Sequence, residues 1–235
     1  MTMTFAILAL LPAAPPMAQQ PSQFPVGAPV QQVFDFDVNL DKRPIGTHRF
    51  TVRQINGTAS IQSDASFDVR FLGLSAYRYR HRASEQWKDG CLQAIDATTD
   101  DNGRSLRVTG IKREGRFQLE QPAVAALPPC LSAYAYWNRD LLLRQRELLN
   151  PQTGRLDTLR AESLGHETLE LENGTVAVER FRLHAGQNVI DLWYSLNGDW
   201  LRLESTTGTR RLIYQLRVAQ GAPPGASATS FNMQR

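Results

Sequence analysis

The sequence predicts a mainly β fold: one curved antiparallel sheet of about 11–13 strands wrapping a single central helix. Three observations carry this reading. Four Asn-Gly dipeptides (56–57, 102–103, 173–174 and 197–198) each sit between β-rich runs, and Asn-Gly is the strongest short hairpin signal. The runs themselves alternate apolar and polar residues. Only one stretch, near residues 132–146, changes to helical spacing.

Residues 33–40 (VFDFDVNL) alternate strictly, with Phe34, Phe36, Val38 and Leu40 on one face and Asp35, Asp37 and Asn39 on the other, the pattern of a half-buried strand. Residues 41–46 (DKRPIG) read as a turn, because proline fixes φ and glycine permits positive φ. The return strand over 47–55 places His48, Phe50 and Val52 together. After Asn56-Gly57 a third strand ends at Phe71, and a fourth runs through 77–82 (YRYRHR) toward Trp87. Asp89-Gly90, Asn102-Gly103 and Glu114-Gly115 punctuate three more strands carrying Leu92 and Ile95, Leu106 and Val108, and Phe117 and Leu119. The first half is thus a meander of consecutive hairpins.

A connector over 122–129, bounded by prolines, interrupts the pattern. Beyond it Tyr134, Trp137, Leu141 and Leu148 recur at intervals of three, four and seven, which predicts a helix with one apolar stripe. Ser132 is its expected N-cap, and Asp140 and Arg144 its i,i+4 pair. A second meander follows over 155–218, with turns at Asn173-Gly174, Asn197-Gly198 and Thr207-Gly208. An amphipathic helix between two meanders needs an apolar surface to lie on, so the expected arrangement puts its stripe against the concave face formed by residues such as Phe50, Val52, Tyr79, Leu192 and Tyr194.

The expected chain organisation is a signal peptide over 1–18, a disordered leader over 19–31, one β domain over 32–218 and a disordered tail over 219–235. Residues 5–11 (FAILALL) form a short apolar run followed by small residues, which resembles a secretory signal with cleavage after Ala18. Six prolines between positions 12 and 29 leave the leader unable to build a core. No stretch approaches the ~20 apolar residues a membrane-spanning helix requires. The mature protein is therefore expected to be soluble and periplasmic or secreted. Cys91 and Cys130 are the only cysteines. They are either two buried thiols or one disulfide, and an exported chain favours the disulfide.

The net charge is +3, with 23 arginines and 3 lysines. The acidic residues are interleaved along the chain, whereas a nucleic-acid binder concentrates its basic residues in a patch, so nucleic-acid binding is not expected. Candidate chemistry is sparse. His81 and Glu85 share a strand face yet lie about 13 Å apart at ~3.3 Å per residue. The four histidines show no metal-binding spacing, and two cysteines cannot cage a zinc ion. No phosphate loop, nucleotide-binding spacing or Gly-x-Ser-x-Gly elbow is present. Cys91 as a free nucleophile, or a hydrolase built on His81 or Asp191, are the remaining catalytic readings. No metal and no cofactor are expected.

Residues 77–82 carry the clearest pattern. Alternation sends Tyr77, Tyr79 and His81 to one face and Arg78, Arg80 and Arg82 to the other. The arginines form either a ladder for an anionic partner or a solvated face paired with cross-strand acids. The Tyr/His face, with Tyr134 and Trp137 from the helix and Trp193 from a late strand, forms either core or the lining of a ligand cavity.

Segments 39–50 (NLDKRPIGTHRF), 87–92 (WKDGCL), 133–138 (AYAYWN) and 190–195 (IDLWYS) together resemble an uncharacterised family of exported proteobacterial β-rich proteins. That resemblance implies no known activity. The terminal strand pair around Trp193 and Trp200 is distantly similar to the half-barrel of outer-membrane lipoprotein carriers, an open sheet around an apolar cavity plugged by helix. The reading that follows is a periplasmic binding or carrier module for a hydrophobic or amphiphilic ligand. A structural protein with a self-filled core and a hydrolase are the alternatives.

Overall fold

The computed structural model describes residues 29–220, apart from 72–73, 124–126, 172–173 and 208. The expected signal peptide and most of the leader and tail lie outside the described residues. Thirteen strands and one short helix succeed each other: β1 (Val30–Leu40), β2 (Arg43–Ile55), β3 (Thr58–Phe71), β4 (Leu74–Lys88), β5 (Cys91–Asp101), β6 (Arg104–Arg113), β7 (Arg116–Gln121), α1 (Arg139–Leu143), β8 (Glu147–Leu149), β9 (Leu156–Leu171), β10 (Gly174–Ala185), β11 (Asn188–Ser195), β12 (Trp200–Thr207) and β13 (Arg210–Gln220). They form one antiparallel sheet in the order β7-β6-β5-β4-β3-β2-β1-β13-β12-β11-β10-β9-β8. Each meander is a run of neighbours, and the β1–β13 ladder, with Val38 opposite Tyr214, joins the two.

The turns follow their residues. Asn56-Gly57, Asp89-Gly90, Asn102-Gly103 and Glu114-Gly115 all have positive φ at both positions, the geometry whose twist matches flanking strands. The first turn is shorter than the sequence suggests. It is Asp41-Lys42 alone, and Pro44 lies within β2 opposite Asn39, at a register shift between Val38 and Asn39. Proline is tolerated there because a bulge releases its position from donating to the ladder. Gly46 is irreplaceable at this bend, since a Cβ would lie 1.9 Å from the carbonyl oxygen of Ser66.

Bulges at Asp35/Phe36, Val69/Arg70, Gln86/Trp87, Arg180/Phe181 and Trp193/Tyr194 bend individual strands, which adds the curvature that long regular strands lack. The sheet curls until its two ends approach. Gly154, in the turn between β8 and β9, stands where a Cβ would meet Pro122, just after β7, at 2.4 Å. This contact is the seam of the curl.

The helix is the main correction. Among the described residues only Arg139–Leu143 is helical, capped by Asn138 through its Oδ1 to the Leu141 N–H, and Ser132 caps nothing. Arg144 donates to the main-chain oxygen of Asp140, not its carboxylate. Residues 131–138 instead run as irregular chain whose polar backbone is tied to the sheet. The Leu92 N–H donates to Leu131 O, the Leu149 N–H donates to Ser132 O, and Ala133 bridges Leu149 in parallel. A short helix is marginal without strong local propensity, and these sheet bonds satisfy the same groups. Trp137, Leu141 and Leu148 still enter the core, with Tyr134 packed against it. Their destination is as expected and their conformation is not.

Inner-face residues of nearly every strand, from Phe36 and Val52 to Leu183, Leu192 and Trp200, form one core with this segment. On the convex side Leu169, Val178, Trp193 and Leu201 make a second, smaller cluster. Among the described residues no helix is long and apolar enough to cross a membrane.

Candidate functional site

Beneath the 131–152 segment the core is incomplete. A cavity of about 510 Å³ lies between it and the concave face, within the ~300–1,000 Å³ range of small-molecule sites. Phe50, Phe67, Tyr79, Tyr136, Trp200 and Tyr214 supply its aromatic wall. The rings interlock: Phe67 stacks on Tyr79 at 5.2 Å, Tyr136 meets Trp200 at 5.2 Å, and Trp200 meets Phe50 at 5.2 Å. They belong to β2, β3, β4, β12, β13 and the 131–152 segment, so closure of the sheet is what creates the wall.

Polar groups in its interior are few. His81 is buried on the inner face of β4, its Nδ1 2.9 Å from Thr99 Oγ1, and burial lowers its pKa to about 4. His48 stacks on Phe50 at 4.0 Å, with its Nε2 2.7 Å from Ser63 Oγ. Burial, with the neighbouring His81 adding, holds it well below the usual histidine range, and its Nδ1 has no hydrogen-bond partner. Glu85, two positions along the same face from Ala83, receives a hydrogen bond from Trp87 Nε1 at 2.8 Å. Burial raises its pKa to about 7, although that bond acts to lower it. The Ser63–His48 contact has the spacing of a nucleophile and base, but no carboxylate orients His48 through Nδ1, the third member such a relay needs.

Of the residues singled out from sequence, Tyr77, Tyr79, His81, Tyr134 and Trp137 all line this cavity. Tyr77 stands at the mouth, half-exposed, and donates to Asp101 at 2.6 Å; burial first and this bond second push its pKa up to about 12. Tyr134 donates to Asp157 at 2.7 Å. Trp137 is buried with its Nε1 unpartnered and packs edge-on against Trp87 at 6.0 Å. Trp193 lies elsewhere: it is on the convex face, hydrogen-bonded to Glu167 and stacked under Arg180 and Arg202. The arginines at 78, 80 and 82 also face out. Arg78 donates to Ser75, Arg80 to the carbonyls of Phe67 and Tyr79, and Arg82 to Asp64 at 2.8 Å. Cys91 and Cys130 form a disulfide, which anchors the start of the 131–152 segment to β5 and removes Cys91 as a nucleophile.

His48, Ser63 and Tyr214 are cavity residues that sequence reasoning did not select, and Glu85, weighed there only as a partner for His81 and set aside on spacing, lines the cavity as well. For His48 the signal was present, since alternation had set it beside Phe50 and Val52. Ser63 and Tyr214 had none, because their place depends on which strands the curl brings together. No group of three or more potential metal ligands occurs among the described residues.

This architecture, a single antiparallel sheet curled almost into a barrel, defines a β-barrel-like class. A solved member is the β-barrel-like protein of a domain of unknown function, DUF1849, from Brucella abortus. It aligns with a TM-score of 0.62 at 9% identity, over 82% of this chain and 98% of that one, a likeness of fold alone. Residues 36–217 match the domain of unknown function DUF6134, and the chain belongs to that family. No curated protein matches.

Proposed function

We propose that this domain is a binding or carrier module that holds a hydrophobic or amphiphilic small molecule between its concave face and the 131–152 segment. The observation that carries the reading is the aromatic-walled cavity of about 510 Å³. Well-packed interiors leave few voids larger than a water molecule, so a self-filled structural core would not keep a hollow of this size. Binding would come from burial of apolar ligand surface, at roughly 25 cal/mol per Å². Polar tips such as the Tyr79 hydroxyl and the His81 ring would set orientation.

The module would work in the periplasm or outside the cell. The signal-like residues 5–11 and a disulfide compatible with an oxidising compartment support this. Mass analysis of periplasmic protein should then find a mature chain beginning at Gln19, and an intact Met1 in a cytosolic fraction refutes export.

The binding reading is tested by native mass spectrometry of protein purified under mild conditions, together with titration of an apolar fluorescent probe. Adduct masses that vanish on solvent extraction, and saturable probe uptake by the extracted protein, are expected. Neither adducts nor uptake would return the domain to a purely structural role.

A further inference from the structure

Resting on the binding reading, we propose that the cavity selects an amphiphile with an amine head, and that Glu85 is the residue that receives that head. Glu85 is 8% exposed and lines the cavity. Among the described residues, its only hydrogen bond comes from Trp87 Nε1, and it is in no ion pair. Buried carboxylates are normally paired with a cation, and here no protein cation does so. On the neighbouring strands it faces Ile61 and Ile95. The titratable groups that share its cavity are histidines and tyrosines. His48 and His81 are held uncharged at neutral pH, and burial pushes the hydroxyls of Tyr79, Tyr136 and Tyr214 above the usual tyrosine range. Among the described residues no arginine or lysine is buried in the interior; Arg210 lines the mouth, with more than half of its side chain exposed and its Nε 4.0 Å from Asp41.

The walls fit the same ligand. Aromatic faces attract a desolvated ammonium through their quadrupoles. Trp137 lines the cavity with Glu85 and packs edge-on against Trp87, whose Nε1 bonds the carboxyl, while Phe67 and Tyr79 line it six strand positions further along, ~20 Å away. An anionic amphiphile has the opposite problem. With its head on Arg210 its tail would be pressed against a buried carboxyl group, and with its head inside it would meet Glu85 as a like charge. A protonated amine entering head first gives Glu85 the counter-ion it lacks and leaves its alkyl chain against the rings.

Three ligands with the same chain separate the possibilities: dodecylamine, dodecan-1-ol and dodecanoate, each titrated into the full chain below its aggregation concentration and followed by calorimetry. At pH 8, where Glu85 is ionised and the amine, with a pKa near ~10, is charged, dodecylamine should bind about tenfold or more tighter than the alcohol, a difference of about 1.4 kcal/mol or more. At pH 5.5 Glu85 is protonated and the preference should shrink to less than about threefold. Glu85→Gln should abolish the preference for the amine over the alcohol at pH 8. If that variant does not fold, the pH dependence of the wild type decides, and an amine affinity equal at both pH values overturns the proposal. Alcohol or dodecanoate binding as tight as the amine at pH 8 also overturns it, while leaving the binding reading intact. No binding of any of the three sinks both.

Discussion

Replacing Glu85 by Gln should change how the fold responds to pH. The carboxyl is buried, and its pKa is raised from 4.5 to about 7 in the folded chain. A raised folded pKa means that between these values the folded state holds a proton the unfolded chain has released. Its contribution is therefore complete below about pH 4.5 and is lost as pH rises through about 7. At 1.36 kcal/mol per unit this loss is on the order of 3 kcal/mol. His81 acts in the opposite sense. Its pKa falls from 6.5 to about 4 on folding, so the unfolded chain binds the extra proton and stability is lost as pH drops below about 6.5. Between pH 4.5 and 6.5 the two nearly cancel, and His48, lowered in the same direction as His81, tilts the balance upward. Above about 6.5 the histidines have no further effect and the fall due to Glu85 stands alone, so the wild type should be most stable near pH 6.5. The Gln variant keeps an oxygen for Trp87 Nε1 and has no proton to lose. Urea unfolding at pH 4.5 and pH 8 should show the variant gaining on the wild type by about 2–3 kcal/mol between the two. A difference between variant and wild type that is equal at both pH values would show that Glu85 does not sit in a desolvated site.

Three further outcomes follow from the geometry. The Cys91–Cys130 bridge spans 39 residues, so a double Cys→Ser variant should lose about 4 kcal/mol in urea unfolding on the chain-entropy model, and a loss below ~1 kcal/mol would mean that the 131–152 segment is held by its other contacts alone. Gly154 has φ +73 and stands against Pro122 at the seam, so Gly154→Ala should cost ~2 kcal/mol or more through strain and clash, with an unchanged melting temperature as the contrary result. Trp137 borders both the main cavity and a second one of about 430 Å³ beside Asn56 and Gly90. Trp137→Ala should cost less than the ~3–5 kcal/mol of a fully packed tryptophan and should raise apolar-probe uptake; a full loss with unchanged uptake marks it as plain core.

The strand order was legible in the sequence because a hairpin turn with positive φ at two successive residues leaves few choices of residue. Asn56-Gly57, Asp89-Gly90 and Asn102-Gly103 announce themselves for that reason. Gly186, at φ +58 between β10 and β11, lacks the Asn or Asp partner and was passed over. The helix was misread because spacings of three and four also arise where an irregular chain dips repeatedly into a core, as Tyr134, Trp137 and Leu141 do. What distinguishes the two is whether the backbone bonds to itself or to Leu92 and Leu149, and that is a tertiary fact. Trp193 was placed in the cavity although alternation sets it opposite Leu192 and Tyr194, which are both buried in the inner core. The signal was present and its bulk as an aromatic outweighed it. The cavity itself has no sequence signature, since the positions of Ser63 and Tyr214 depend on the curl.

A sheet one layer thick that is hollow on its concave side has lost packing there, and its wall has to be stiffened from outside. Strand β11 shows how this is done. Every residue from Ile190 to Tyr194 is buried, so both faces of the strand are covered. On the convex face Asp191 accepts from Arg180 at 2.5 Å and twice from Arg182, at 2.7 and 2.8 Å. Burial pushes the Asp191 carboxyl up, but the bonds from Arg182 and Arg180 outweigh it and hold its pKa below the usual range. Arg180 then lies 4.7 Å over the Trp193 ring and Arg202 5.5 Å from it. A guanidinium can do both jobs at once, since its planar fork bonds a carboxylate at the edge while its face lies on an indole, and an ammonium has no planar fork with which to combine them. The same use of arginine recurs across the outer surface in Arg49–Asp35, Arg82–Asp64 and Arg107–Asp96. These exposed pairs add little energy individually, but they keep the outer face polar and ordered while the inner face is left free for aromatic rings around an open space.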